Sequence, residues 1–245
     1  MNKEIALVID TNSRYGDVWD ACFGRLEKHF PKTIKKYVFT DSVDYEFQEN
    51  YQQINYDDTD SYRNQFLSCI KQVAEPYFLY TSEDYILYDD VSLEKIDSFV
   101  ETLKKDPVFS FIKLIRGPEF LLGKFKPDEH SDLFIIDPKD GNFFAQQASV
   151  WKTADFTKVF ESSPPQNGRM QQEPGGSAIC RSLGFRGLQC YNGESLRGIC
   201  HHDSSVYPHI ATAVVKGKWN ISEYRDELNE VFTEYDINPL KRGIA

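Results

Sequence analysis

Cysteine, long apolar runs and positive charge are all scarce in this 245-residue chain, and each scarcity excludes something. The five cysteines, Cys22, Cys69, Cys180, Cys190 and Cys200, are odd in number and form no CxxC pair, so neither a disulfide framework nor a zinc ribbon organises the fold. Reduced thiols in a cytoplasmic setting are the expectation. The N-terminal apolar run covers only residues 5–9 before Asp10, too short for a signal-peptide core, and no later segment reaches the ~18 apolar residues of a membrane span. Lys and Arg number 28 against 38 Asp and Glu, and the formal net charge of −10 opposes attraction to nucleic acid or to an anionic lipid surface. Low-complexity tracts, internal repeats and interdomain linkers are also missing, which favours one domain over residues 1–245.

What is present is an ordinary globular composition, 40% hydrophobic and 27% charged, with ample material for a core. Its aromatic content is higher than ordinary: 18 Phe, 14 Tyr and 3 Trp. Tyrosine stacks on rings and keeps a hydroxyl for hydrogen bonding, which suits sugars and nucleotides as ligands.

Residues 5–9 read as a strand buried on both faces, followed by a loop over 11–16. Val18, Trp19, Cys22, Phe23, Leu26 and Phe30 recur at helical spacing up to Pro31, which predicts a helix over 17–30. Weaker strands are expected at 37–39 and 53–56, a helix from Phe66 to Ala74, a strand over 77–80, a helix over 92–104 and a strand over 108–115. This alternation predicts a twisted α/β sheet in which ligands sit beyond the carboxyl ends of the strands. The loops 10–16 and 82–84 fall at two such ends, and one cleft is expected to receive both. The second half is less regular. A hairpin is expected from 133–136 and 142–150, a loop over 162–168, a break at Pro174-Gly175-Gly176 before a helix over 177–183, strands over 186–191 and 210–215, and a last helical stripe from Tyr224 to Tyr235.

The strongest chemical signal is the strand 77–80 running into Thr81-Ser82-Glu83-Asp84. Adjacent carboxylates are hard ligands that hold Mn2+ or Mg2+ beside a diphosphate, although an acidic pair after a strand reads equally as a solvated turn. Asp89-Asp90 behind it reads as an acidic pair at a helix N-terminus. Glu173, ahead of the glycine-rich break, could serve as a general base or cap the following helix. His201, His202 and His209 cluster without the spacing of a zinc site and could reach a metal or a diphosphate. Lys216-Gly217-Lys218-Trp219 sets two ammonium groups at a strand end, where phosphate oxygens could meet them.

Together the segments 11–19, 77–87, 146–152, 173–177 and 214–219 resemble, in order, a family of bacterial and viral glycosyltransferases of the GT-A fold, linked to surface polysaccharide and lipopolysaccharide assembly. The resemblance covers about 200 residues. It implies a single α/β domain with a mixed, mostly parallel twisted sheet flanked by helices. In it, residues 1–117 form a nucleotide-binding half, and residues 118–245 form a less regular acceptor-side half with a C-terminal helix. It implies that Asp10, Thr11, Asn12, Arg14 and Tyr15 hold the donor nucleotide, with Ser82-Glu83-Asp84 standing where the family has a DxD metal motif and Asp84 as the best ligand. Gln147 and Trp151 would line the sugar and acceptor cleft, although Trp151 reads equally as core. Glu173 would be the base, and His209, Lys216 and Lys218 would reach the diphosphate, His209 also as a metal ligand. The partners implied are a nucleotide-diphospho-sugar and a saccharide or lipid-linked glycan. A membrane-linked acceptor would be met through a small local patch, since no basic amphipathic helix marks a membrane surface. Two other functions stay open: a nucleotidyltransferase that makes a nucleotide sugar, which the single glycine in 11–16 disfavours, and a non-catalytic glycan- or nucleotide-binding subunit of the same fold.

Overall fold

The computed structural model describes residues 4–41, 45–126, 132–165 and 169–245. Its first half alternates as the periodicities predict. Strand β1 (Ile5–Asp10) leads through a 3-10 turn at Ser13–Tyr15 into helix α1 (Gly16–His29) and strand β2 (Lys36–Thr40). Strand β3 (Tyr51–Asn55), helix α2 (Tyr62–Ile70) and strand β4 (Tyr77–Ser82) follow. A short strand β5 (Ile86–Leu87) and helix α3 (Leu93–Lys105) lead to strand β6 (Phe109–Lys113). Beyond it lie strands β7 (Leu121–Lys124), β8 (Leu133–Ile136) and β9 (Ser149–Lys152), helices α4 (Thr153–Ser162) and α5 (Arg169–Ser182), and strand β10 (Arg186–Cys190). Short strands β11 (Leu196–Arg197), β12 (His201–His202), β13 (His209–Ile210), β14 (Val214–Val215) and β15 (Lys218–Trp219) precede helices α6 (Arg225–Glu234) and α7 (Pro239–Arg242).

Nine strands form one sheet in the order β3-β2-β1-β4-β9-β6-β10-β8-β7. Seven run in one direction, and β9 and β8 run against them, so the expected mixed, mostly parallel sheet is what the chain builds. The alternation within β1 explains the layers. Ile5, Leu7 and Ile9 face a core shared with Trp19, Phe23 and Leu26 of α1 and Phe99 and Leu103 of α3. Ala6 and Val8 face the opposite core, built with Phe66 and Ile70 of α2, Phe156 and Phe160 of α4 and Cys180 of α5. Both faces of β1 are therefore covered, which is why the strand reads as an unbroken apolar run. A third cluster joins Val18 and Ala21 of α1 to Trp219, Tyr224, Leu228 and Val231 near the C-terminus.

Three expectations for the second half are corrected. The hairpin from 133–136 and 142–150 does not form: β8 pairs with β10 and β7, while β9 lies between β4 and β6. Val150 and Trp151 are buried on opposite faces, a demand that only a central strand meets. The break at Pro174-Gly175-Gly176 is instead the interior of α5. The strand over 210–215 is split at Thr212, whose φ of 65° takes the chain out of extended geometry. In the first half, Asp90 lies two residues before the Ser92 cap of α3 and Glu94 stands in its first turn, as the acidic pair at a helix N-terminus predicts. The loop expected over 162–168 follows α4, which ends at Ser162; residues 163–165 are outside helix and strand, and 166–168 lie outside the described residues.

Candidate active-site cleft

In the strand order, the chain moves from β1 outward to β2 and β3, then returns to β4 on the other side of β1. That reversal opens a crevice at the carboxyl ends of β1 and β4, the usual ligand position in open α/β sheets. A cleft of about 420 Å³ lies there, bordered by Asp10, Arg14, Tyr15, Tyr56, Tyr62 and Asp84 among others. Asp10 is in register with Ser82, so the residues that follow the two strands emerge level with one another. The loops 10–16 and 82–84 do meet at one cleft.

The first loop is held by its own side chains. Asn12 caps the 3-10 turn, its Oδ1 accepting from the Arg14 backbone N–H at 3.1 Å and from Arg14 Nε at 2.8 Å. Thr11 accepts from Trp19 Nε1 at 2.8 Å, and Tyr56 Oη donates to the Thr11 carbonyl at 2.8 Å. Arg242 of α7 stacks over Tyr15, pairs with Asp17 and reaches the carbonyls of Arg14 and Gly217. Helix α7 thus braces the loop after β1, a contact between residues more than 200 positions apart.

A network crosses the floor of the cleft. Tyr62 Oη at 2.8 Å and Tyr80 Oη at 3.2 Å both donate to Asp10 Oδ2. Gln146 Nε2 donates to Tyr62 Oη, and the Gln146 backbone N–H donates to Glu173 Oε1 at 2.8 Å. Glu173 therefore connects to Asp10 through Gln146 and Tyr62, while its own carboxylate is engaged with the main chain and is not among the residues bordering the cleft.

The electrostatics are one-sided. Among the described residues, Asp10, Asp58, Asp60, Glu83 and Asp84 border the cleft against a single arginine, Arg14, whose side chain is 76% exposed 3.5 Å from Asp58. An exposed pair of that kind cancels little of the charge. Asp10, Glu83 and Asp84 are by contrast buried. Their field reaches the core behind them, where burial first, and then Glu83 and Asp84, push the Cys22 thiol far above its ordinary range. Burial and the charge of Asp10 likewise raise the Tyr56 phenol, so that it stays a neutral hydrogen-bonding group at the cleft wall.

The remaining sequence candidates sit elsewhere. Trp151 is a core residue, 1% exposed and stacked on Phe111 at 4.2 Å. Gln147 donates to the Ile115 carbonyl at 3.3 Å. His209 is buried beside Tyr85 and Tyr207, and its Nδ1–H donates to the Tyr207 carbonyl at 2.6 Å. Burial lowers its imidazole to about 4, so it is neutral at physiological pH. Lys216 and Lys218 are exposed on the β14–β15 hairpin, and the φ values of Lys216 (48°) and Gly217 (77°) define its two-residue turn. Gly217 thus serves the turn geometry. Reasoning from sequence missed Tyr56, Asp58, Asp60, Tyr62 and Gln65, which form the wall after β3. The acidic run 57–60 was the available signal. Among the described residues, His29, Asp89 and Asp90 are the one His, Cys, Asp and Glu group with ligand atoms all within 4.8 Å, and they lie away from the cleft.

No protein-family model and no curated protein sequence matches the chain. Among solved structures it is similar to residues 1–349 of TarS from S. aureus, at 12% identity and a TM-score of 0.54, over 98% of this chain and 68% of that one. A cytidylyltransferase from Leptospira borgpetersenii is similar at 12% identity and a TM-score of 0.50, over 98% of both chains. The mannosyltransferase PcManGT from Pyrobaculum calidifontis, solved with GDP-Man and Mn2+, aligns at 11% identity and a TM-score of 0.48 over 81% of this chain. The chain spans 59% of that mannosyltransferase and 41% of the longer TarS structure. At these identities the likeness is one of fold, a mixed, mostly parallel α/β sheet flanked by helices.

Proposed function

We propose that the chain is a glycosyltransferase that moves a sugar from a nucleoside-diphosphate donor to a saccharide or lipid-linked glycan acceptor. The observation that carries this reading is the single cleft in which Asp10, Asn12 and Tyr15 at the end of β1 face Glu83 and Asp84 at the end of β4. Tyr56 and Tyr62 border the same cleft, aromatic side chains of the kind suited to a nucleoside.

A diphosphate entering among five carboxylates and one arginine would be repelled unless a cation accompanies it. The donor set fits Mn2+ or Mg2+: Glu83 and Asp84 are adjacent, buried hard-oxygen ligands that border the cleft. Bound there, a divalent ion supplies neutralisation of the charge that builds on a leaving diphosphate. The chain's own residues do the positioning. Asp10 is oriented by Tyr62 and Tyr80, Asn12 fixes the loop, and Arg14, a cation bordering the cleft, can follow phosphate oxygens. Glu173 is read here as a positioning residue, because its carboxylate holds the Gln146 main chain.

A nucleotidyltransferase draws support from the fold shared with the cytidylyltransferase. Against it stand the acidic lining, which disfavours a triphosphate even more than a diphosphate, and the glycine-poor loop after β1. Calorimetric titration with UDP, GDP, CDP and CMP, each with Mn2+, Mg2+ or EDTA, tests the reading. One nucleoside diphosphate is expected to bind only with metal, and Asp84→Asn should weaken it by at least about tenfold, the lower end of what even outer-shell changes cost. Equal binding in EDTA, or turnover of a nucleoside triphosphate with a sugar phosphate, would overturn it.

A further inference from the structure

A second concavity of about 290 Å³ lies between α1, the segment 45–51 and the residue that ends α6. Five rings border it: Phe23, Tyr45, Phe47, Tyr51 and Tyr235. Phe23 is at the centre, with ring centroids of Tyr45, Phe47 and Tyr51 at 5.4, 5.0 and 5.7 Å. Tyr235 closes the remaining side where it crosses Gly24. A Cβ on Gly24 would lie 2.4 Å from the Tyr235 ring, so a side chain there would displace that ring from the wall.

Among the described residues, three carboxylates, Asp20, Glu27 and Glu46, border the same space, and no lysine, arginine or histidine does. Lys36 lies behind the wall, wholly buried, 3.4 Å from Glu27 and 4.9 Å from the centroid of Tyr51. Its charge faces Glu27, which leaves Asp20 and Glu46 to make the mouth negative. Ring faces carry negative quadrupole density and attract cations, most strongly those with little hydration to lose. An anion would be repelled, and a neutral apolar ligand would desolvate the carboxylates without compensation.

We propose that this concavity binds an organic ammonium ion, a trimethylammonium head being the best fit to rings and carboxylates together. The inference stands on residues outside the acidic cleft and is independent of the glycosyltransferase reading. Choline is the probe, titrated into the full chain by calorimetry and compared with its neutral isostere, in which carbon replaces the quaternary nitrogen. Saturable choline binding is expected, with the isostere at least about tenfold weaker. Phe47→Ala removes a ring and should weaken choline by about fivefold or more. Glu46→Lys changes an exposed charge, leaves the packing intact, and should weaken it to a similar degree while the melting temperature holds. No saturable binding, equal affinity for the isostere, or undiminished affinity in Glu46→Lys and Phe47→Ala would each overturn the proposal.

Discussion

At Glu173 two roles make opposite predictions for one substitution. A general base must lose its function when the carboxylate becomes an amide. A positioning residue need only keep an acceptor for the Gln146 N–H, and glutamine keeps one. Glu173→Gln is therefore expected to retain activity within about threefold, whereas Glu173→Ala should lose at least about tenfold by freeing the loop that holds Tyr62 and Asp10. Loss of activity in both variants, with folding unchanged by circular dichroism, would restore the base. Asp10, Glu83 and Asp84 were legible in the sequence because each directly follows an apolar strand. Tyr56 and Tyr62 were not, since no local pattern tells a tyrosine on a cleft wall from one in a core. Trp151 and His209 show the converse: both carry functional chemistry, and both are buried by the packing.

Among the elements, α5 departs furthest from local propensity. Pro174 forgoes a helical hydrogen bond, and two glycines follow, at a cost of about 3 and about 1 kcal/mol per residue respectively. Tertiary contacts offset this. Gly176 lies against Phe144, Ser177 Oγ donates to the Gly141 carbonyl at 2.9 Å and accepts from the Phe144 N–H at 3.0 Å, and Cys180 enters the core. A reversal of sign follows. Gly→Ala inside a helix ordinarily gains up to about 1 kcal/mol. Here the added methyl would sit 2.4 Å from a buried Phe144 ring, so Gly176→Ala should destabilise the protein by roughly 1–3 kcal/mol. Urea denaturation measures it, and a stabilised variant would refute the packing described for α5. The misplaced hairpin has a related cause. Strands β8 and β9 are adjacent in sequence, yet their partners are chosen by which sheet positions bury both faces, and that is decided by the whole set of strands.

For the molecule as a whole, the buried His209 couples stability to pH. Its imidazole is lowered from 6.5 to about 4, by burial first, against the opposing effect of the Tyr207 carbonyl. Between those values the unfolded chain binds more protons than the folded one, so stability is full above about 6.5 and falls as the pH drops toward 4. The loss is on the order of 3 kcal/mol. His209→Gln removes the titrating group, and its chemical-denaturation midpoint should fall less steeply across this window. Equal slopes in the two proteins would exclude His209 as the source.

The sequence by itself determined the fold class. The apolar runs of β1, β4 and β6, the helical periods of α1, α2 and α3, and the acidic residues after β4 are local signals, because a buried strand or a half-buried helix must be apolar on known positions. Only the tertiary structure decided that β9 enters the sheet between β4 and β6, that α5 runs unbroken through Pro174-Gly175-Gly176, and that the segment after β3 becomes the third wall of the cleft. The physical reason is that periodicity records which face of an element is buried, whereas its partner is set by competition among all the apolar faces in the chain.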